Sequence, residues 1–368
     1  MAQFLLRQSL VCPSCITRTF TYAGSRRAFS VSSILAKEPV PHFKPTSSPE
    51  LDELLAKFKD NVFVPKHVGE AHRRLLWKPT AAERLRNETI TVNLGNGIDE
   101  NYRLKPLNSK DEPKTRDLKT VVRLMKTDED YKNFVPFFVG MHEAGRHIRL
   151  EEWEWVTRHL GQAGYQHILV ACAKQAKKTG YSLAPHSVAR GFFQNFHTAA
   201  VACEFKGEEL ERILKSAVLC TFLFNQEEHT PRGTLSPQRL PDIIGVLLEL
   251  SAARSIDAFE AKDFDDNIVH GYAEKLLSTW DLVPTEVPSY ASAANGTIME
   301  MLPTWNGINL ALKVDSIQAD SAMQNKLVSR KKELEEKLDV SIEKVRNSTP
   351  EGKKRLGLMA ADALGYKK

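Results

Sequence analysis

Apolar positions in the middle of the chain recur with the spacing of a single helical face, and the pattern returns segment after segment. Leu118, Val121, Val122 and Met125 stand at i, i+3, i+4 and i+7, which predicts an amphipathic helix. Phe134, Phe137, Phe138 and Met141 repeat it, as do Leu169, Cys172, Ala173 and Ala176, and then Ala189, Phe192, Phe193 and Phe196. Trp153, Val156 and Leu160 fill a sparser face between them. Gly145, Gly164 and Gly180 each follow such a segment, where a residue without Cβ can close a helix in the left-handed conformation.

Gly145 and Gly164 are 19 residues apart and Gly164 and Gly180 are 16 apart, so two helix-plus-turn segments occupy 35 residues. That is close to the period of helical-hairpin repeats, whose units bury their faces by stacking on neighbours. An irregular helical domain would give the same faces. We read the chain as mainly α, a helical-hairpin array of the PPR/TPR kind over residues 114–283, with a small β-hairpin before it and extended termini. The helical spacing continues in Leu210, Ile213, Leu214 and Ala217, in Ile243, Val246, Leu247 and Leu250, and in Val269, Tyr272, Ala273 and Leu276.

Flanking this body, the periodicity changes. Thr89–Leu94 and Ile98–Leu104 alternate apolar or β-branched with polar residues around Gly95-Asn96-Gly97, a hairpin signal over 88–105. Residues 37–87 read as an extended, basic N-terminal arm, Pro-rich up to Pro49 and carrying a short helix at Leu51–Phe58; its extended part suits a large partner surface. Pro284–Asn295 is rich in Pro, Ser and Ala and separates residues 284–368 as a C-terminal extension. There Met323, Leu327, Leu334, Leu338, Ile342 and Val345 form a thin apolar seam in a charged helix, suited to docking on a partner or to a short coiled coil.

Composition narrows the class. With 368 residues, 42% of them apolar, the chain can bury a substantial core. No run reaches the length of a membrane span. The net charge of +5 is concentrated at the start: residues 1–36 hold four arginines and no acid, leaving 47 basic against 46 acidic residues in the rest. Arg7, Arg18, Arg26 and Arg27 among apolar and hydroxyl residues read as a mitochondrial presequence, with cleavage expected to leave Lys37 first and the matrix as destination. A secretory signal is the competing reading, against which the apolar run is short and broken by Cys12, Pro13 and Cys15. The Cys12-Pro-Ser-Cys15 pair falls inside this leader and lacks a second ligand pair. Cys172, Cys203 and Cys220 read as thiols on or beside buried faces.

No catalytic constellation, metal site or cofactor site emerges, and no small-molecule substrate is implied. His142 and His147 are five residues apart with Ala144-Gly145 between them, whereas a zinc-protease helix needs i and i+4. Candidate RNA-binding residues form three groups: Arg73, Arg74 and Lys78 beside Trp77; Arg116, Lys119, Arg123 and Lys126, a stripe away from the apolar face of their helix; and Lys353, Lys354 and Arg355 in the basic tail. Clustered cations of this kind neutralise phosphates.

The order of pieces from Arg73 to Ala202, namely RRLLWKP, the hairpin TITVNLGNGIDENYRLKPL, KTRDLKTVVRLMK, FVGMHEAGRHIRLEEWEWV and LGQAGYQHILVACAKQAKKTGYSL, resembles a fungal mitochondrial large-subunit ribosomal protein family, the type once numbered thirteen and now grouped under fifty. The resemblance implies a structural, non-enzymatic ribosomal component that binds large-subunit rRNA and neighbouring mitoribosomal proteins. The near-neutral body points to a peripheral position in such a particle. The alternative is a helical-repeat, PPR-like RNA-binding factor for mitochondrial transcripts; a matrix enzyme ranks last.

Overall fold

The computed structural model describes residues 39–95, 101–231, 233, 235–284, 286–350 and 353–366. The presequence reading, the Asn96-Gly97 turn, and Lys367 and Lys368 lie outside them. Residues 38–368 form one compact unit, which is built of stacked helices.

Before the predicted array come α1 (Pro49–Phe58), α2 (Glu70–Trp77) and α3 (Pro79–Asn87). Leu51, Leu55 and Phe58 of α1 are buried in the main core. The segment ahead of α1 is extended, and it lies along this chain's own body. Asn133 clamps it in both directions, accepting from the Lys44 amide at 2.8 Å and donating to the Lys44 carbonyl at 2.9 Å. A side-chain amide that offers both groups to one peptide unit stands in for a neighbouring strand.

Strands β1 (Thr91–Val92) and β2 (Tyr102–Arg103) pair antiparallel, Thr91 opposite Arg103 and Val92 opposite Tyr102. The chain then enters α4 (Thr115–Leu124), α5 (Phe134–Glu143), α6 (Leu150–Gln162), α7 (Gln166–Lys174) and α8 (His186–Ala202). Every apolar residue that the spacing assigned to these faces is buried. Gly145, Gly164 and Gly180 all have positive φ, at 68°, 81° and 72°. At the first two the end is a Schellman motif: Arg146 N–H donates to Met141 and Gly145 N–H to His142, and likewise Tyr165 to Leu160 and Gly164 to Gly161.

Helices α9 (Gly207–Thr221), α10 (Pro241–Ala258), α11 (Ile268–Ser278), α12 (Ala291–Ala311), α13 (Ser321–Ser348) and α14 (Leu356–Ala363) complete the described chain. Asp263 ties down the start of α11, accepting from the Val269 and His270 amides at 3.0 Å each. The seam of α13 is buried, and what it docks on is α12 of the same chain, not a partner. Helix α10 holds the two halves of the interior together. Its Ile243, Val246, Leu247, Leu250 and Ala253 belong to the N-terminal cluster, while Ile244, Leu248 and Ala252 belong to the C-terminal one.

Where α10 meets α12 the backbones approach closely. A Cβ on Gly307 would lie 2.8 Å from the Gly245 carbonyl oxygen, and one on Gly245 would meet the Thr304 side chain. Alongside, the fully buried Glu249 accepts from Asn306 Nδ2 at 2.7 Å and is bonded to His197 Nδ1 at 2.7 Å. One carboxylate thereby joins α8, α10 and α12, and its buried oxygens are satisfied.

Candidate nucleic-acid interface

The strongest candidate surface lies on α4 and α6. Helix α4 buries Leu118, Val121 and Val122, so the 3.6-residue turn places Arg116, Lys119 and Arg123 on the outer side; the helix ends at Leu124, and Lys126 follows the extended Met125 rather than continuing the stripe. The side chain of Arg116 points toward Asp117 at 3.8 Å. Lys126 is exposed, and its backbone serves the packing: its amide donates to Asp130 at 3.0 Å and its carbonyl accepts from Tyr165 Oη at 3.3 Å.

Lys119 and Arg123 share an aromatic neighbour. Lys119 Nζ lies 5.7 Å and Arg123 Cζ 5.2 Å from the Trp155 ring centre, within cation–π range. His159, one turn along α6, stacks on the same indole with ring centres 4.8 Å apart and planes 12° apart. Burial, and then the nearby Arg123 charge, hold the His159 pKa below its usual value, which favours the neutral ring. Among the described residues neither Lys119 nor Arg123 has an ion-pair partner.

Two other tryptophans carry cations, and the comparison is instructive. Arg330 sits 5.4 Å from the Trp280 ring and Lys331 5.8 Å from that of Trp305. In each case a carboxylate closes the site: Trp280 Nε1 donates to Glu333, which pairs with Arg330, and Trp305 Nε1 donates to Glu335, which lies 3.8 Å from Lys331. Among the described residues the Trp155 site has two cations and no such acid. It is open to an external anion.

The remaining candidates are dispersed. Arg73 and Lys78 are exposed at the surface of α2 and at its junction with α3, while Arg74 is paired with Glu70 one turn earlier. Trp77 is half-buried against the core. Lys353, Lys354 and Arg355 are exposed immediately before α14. No hydrogen bond or ion pair joins the three groups among the described residues. Trp155 and His159 escaped the sequence reading, which followed the buried Trp153/Val156/Leu160 face. The signal was present, since an aromatic and a histidine at i and i+4 on the opposite side share a surface.

Clefts elsewhere offer less chemistry. One of about 280 Å³ is bordered by Arg190, Asp242 and Glu300; the Arg190 guanidinium lies 2.7 Å from Asp242 and 4.0 Å from Glu300. Burial raises the pKa of both carboxyls against the opposing pull of Arg190. This is one cation shared by two acids. Another, of about 390 Å³, is lined by His142, Arg146, His147 and Trp153. Helix α5 ends at Glu143, so the two histidines do not share a helical face.

Fold and surface define the chain as a helical-array scaffold protein. The family model for mitochondrial ribosomal protein mS27 matches residues 27–364, and the chain belongs to that family. Among curated proteins it is similar to the small ribosomal subunit protein mS27 of Neurospora crassa, 22% identical over 265 residues, which are 67% of this chain and 66% of that protein. The family is a structural, non-enzymatic one, and membership places the chain in the mitochondrial matrix.

The family corrects one expectation from the sequence. The resemblance to a large-subunit protein, and with it large-subunit rRNA and large-subunit neighbours as partners, does not hold, because the matching family and relative are of the small subunit. The quoted pieces are dominated by buried helix faces and glycine stops. Such positions record how a helical stack packs and carry little about which ribosomal surface it meets.

Proposed function

We propose that the chain is a structural component of the small subunit of the mitochondrial ribosome, contacting small-subunit rRNA through the outer side of α4. The observation that carries this reading is the Lys119/Arg123 pair. Two cations are held beside Trp155 with no neutralising carboxylate among the described residues, whereas the equivalent arrangements at Trp280 and Trp305 are closed by Glu333 and Glu335. Fixed, uncompensated cations favour phosphate contact because less side-chain freedom is lost on binding. Arg73, Lys78 and the Lys353–Arg355 run supply further cations on other elements, and the near-neutral body suits a peripheral scaffold with protein neighbours as well as RNA.

The test is a sucrose gradient of mitochondrial lysate. The wild-type chain is expected to sediment with small subunits, and the double reversal Lys119→Glu/Arg123→Glu to shift at least partly to the top of the gradient while keeping wild-type thermal stability. A reversed variant that sediments like the wild type would sink the assignment of this surface. Wild-type protein absent from small-subunit fractions would sink the function.

A further inference from the structure

Resting on that reading, we propose that Trp155 is a stacking site for one unpaired RNA base, with Lys119 and Arg123 taking the phosphates on either side of it. The surface would accordingly prefer a single-stranded or looped segment to a continuous duplex.

Four observations lead there. Trp155 is half-buried, on the outer side of a helix whose other face, Trp153, Val156 and Leu160, is buried. Part of the indole packs against the main core, and the remainder is left at the surface. Its N–H has no protein acceptor among the described residues, in contrast to Trp280 and Trp305, whose indoles donate to Glu333 and Glu335. The groups that cover the ring are the ends of two long cationic side chains, themselves without counter-ions, and the parallel His159 ring. Finally, Lys119 and Arg123 are one helical turn apart, about 6 Å along the axis, so their charged ends flank the ring.

A strand approaching this surface draws both cations from the indole to its phosphates. His159 stays stacked on the indole, the part of the ring that the cations covered is opened, and a flat aromatic face beside a phosphate-bound strand is filled by a base turned out of its helix. In duplex RNA the bases are stacked internally and present only edges and backbone. The cations would still engage a duplex, but the indole would go unused. The alternative occupant of an exposed tryptophan, an apolar surface of a neighbouring protein, is disfavoured by the two uncompensated cations at its rim.

Purified protein would be titrated into a short fluorescein-labelled oligouridylate and into the same sugar-phosphate strand lacking its bases, with binding followed by anisotropy at several salt concentrations. The wild type is expected to prefer the base-bearing strand by about tenfold, the low-to-middle range for one base stacked on an aromatic ring. Trp155→Leu, which keeps an apolar side chain but has no π face, is expected to abolish that preference and leave the salt dependence unchanged. Trp155→Phe is expected to retain most of it. Lys119→Ala/Arg123→Ala is expected to weaken both strands and to reduce the log–log salt slope by about 1.4, at about 0.7 per phosphate contact on single strands.

The two layers fail separately. A Trp155→Leu protein that keeps the wild-type preference overturns the stacking site while leaving the phosphate contacts standing. An unchanged salt slope in the double alanine variant overturns the phosphate contacts beneath it, and a wild-type protein that binds neither strand overturns both.

Discussion

Asp130 shows how one side chain can hold a segment that has no secondary structure of its own. It is fully buried and accepts from Ser47 N at 2.7 Å, Ser47 Oγ at 2.8 Å, and the Lys126 and Thr127 amides at 3.0 Å each. Burial alone would push its pKa up, but the donors from Ser47, Lys126 and Thr127 outweigh it and hold the carboxyl well below the usual carboxylate range. A group depressed on folding stabilises fully above its unfolded pKa, near 4, and that contribution is lost as the pH falls through the folded value. Asp130→Asn is therefore expected to cost about 2 kcal/mol at pH 7, in the range for hydrogen bonds to a charged group. The gap from wild type, read from urea midpoints, should narrow on going to pH 3; a gap that widens on acidification would contradict this account. Glu249 is a second buried carboxylate, one that ties helices together. Replacing it with Ala strands His197 and Asn306 in the interior, and a loss of about 3 kcal/mol is expected by the same measurement.

Among elements, what the sequence disclosed and what it hid follow one rule. Helices with a single buried face were legible: α4, α5, α7 and α8 bury the residues their spacing named, and Gly145 and Gly164 fall where α5 and α6 end, whereas Gly180 closes a short separate turn, Ala176–Thr179, beyond the end of α7. Helices buried on several sides were not. In α10 the reading picked out Ile243, Val246, Leu247 and Leu250 but missed Ile244, Leu248 and Ala252, because a helix that is apolar all round has no preferred direction to detect. Helix α12 was hidden for the same reason and for another: Pro303 lies inside it, and a proline ordinarily argues against a helix interior. Its start at Ala291 was taken for a connection because Pro284–Asn295 is rich in Pro, Ser and Ala. The α10–α12 contact yields its own prediction. Gly307→Ala would drive a methyl against the Gly245 carbonyl and the Glu249 backbone, neither of which can swing aside. An overpacking cost of about 2–3 kcal/mol is expected, seen as a lower thermal midpoint, whereas Gly296→Ala, with open space around its Cβ, should be neutral or slightly stabilising.

For the molecule as a whole, function was legible only in outline. Charge concentrated in residues 1–36 and a near-neutral remainder indicated the mitochondrion, and the stripe on α4 could be read from spacing alone. The cluster around Trp155 could not, because it depends on how α4 and α6 lie against each other, and tertiary contact leaves no mark on a linear string. The subunit was misassigned from patterns that report packing, and the family match over residues 27–364 put it right.

The doubly buried helix α10 has a further implication for how this chain can be shortened. A truncated gene product stopping after Val283 would retain α10 with Ile244, Leu248 and Ala252 stripped of the α12 side chains that cover them, an oily flank turned to water beside a Glu249 that keeps His197 but has lost Asn306. Such a fragment should clump or be digested on expression, and a protease added in trace amounts would reveal it within minutes. Everything downstream of Pro284 then behaves less like an appendage than like the second half of a zip fastener whose teeth are all cut into one shared bar.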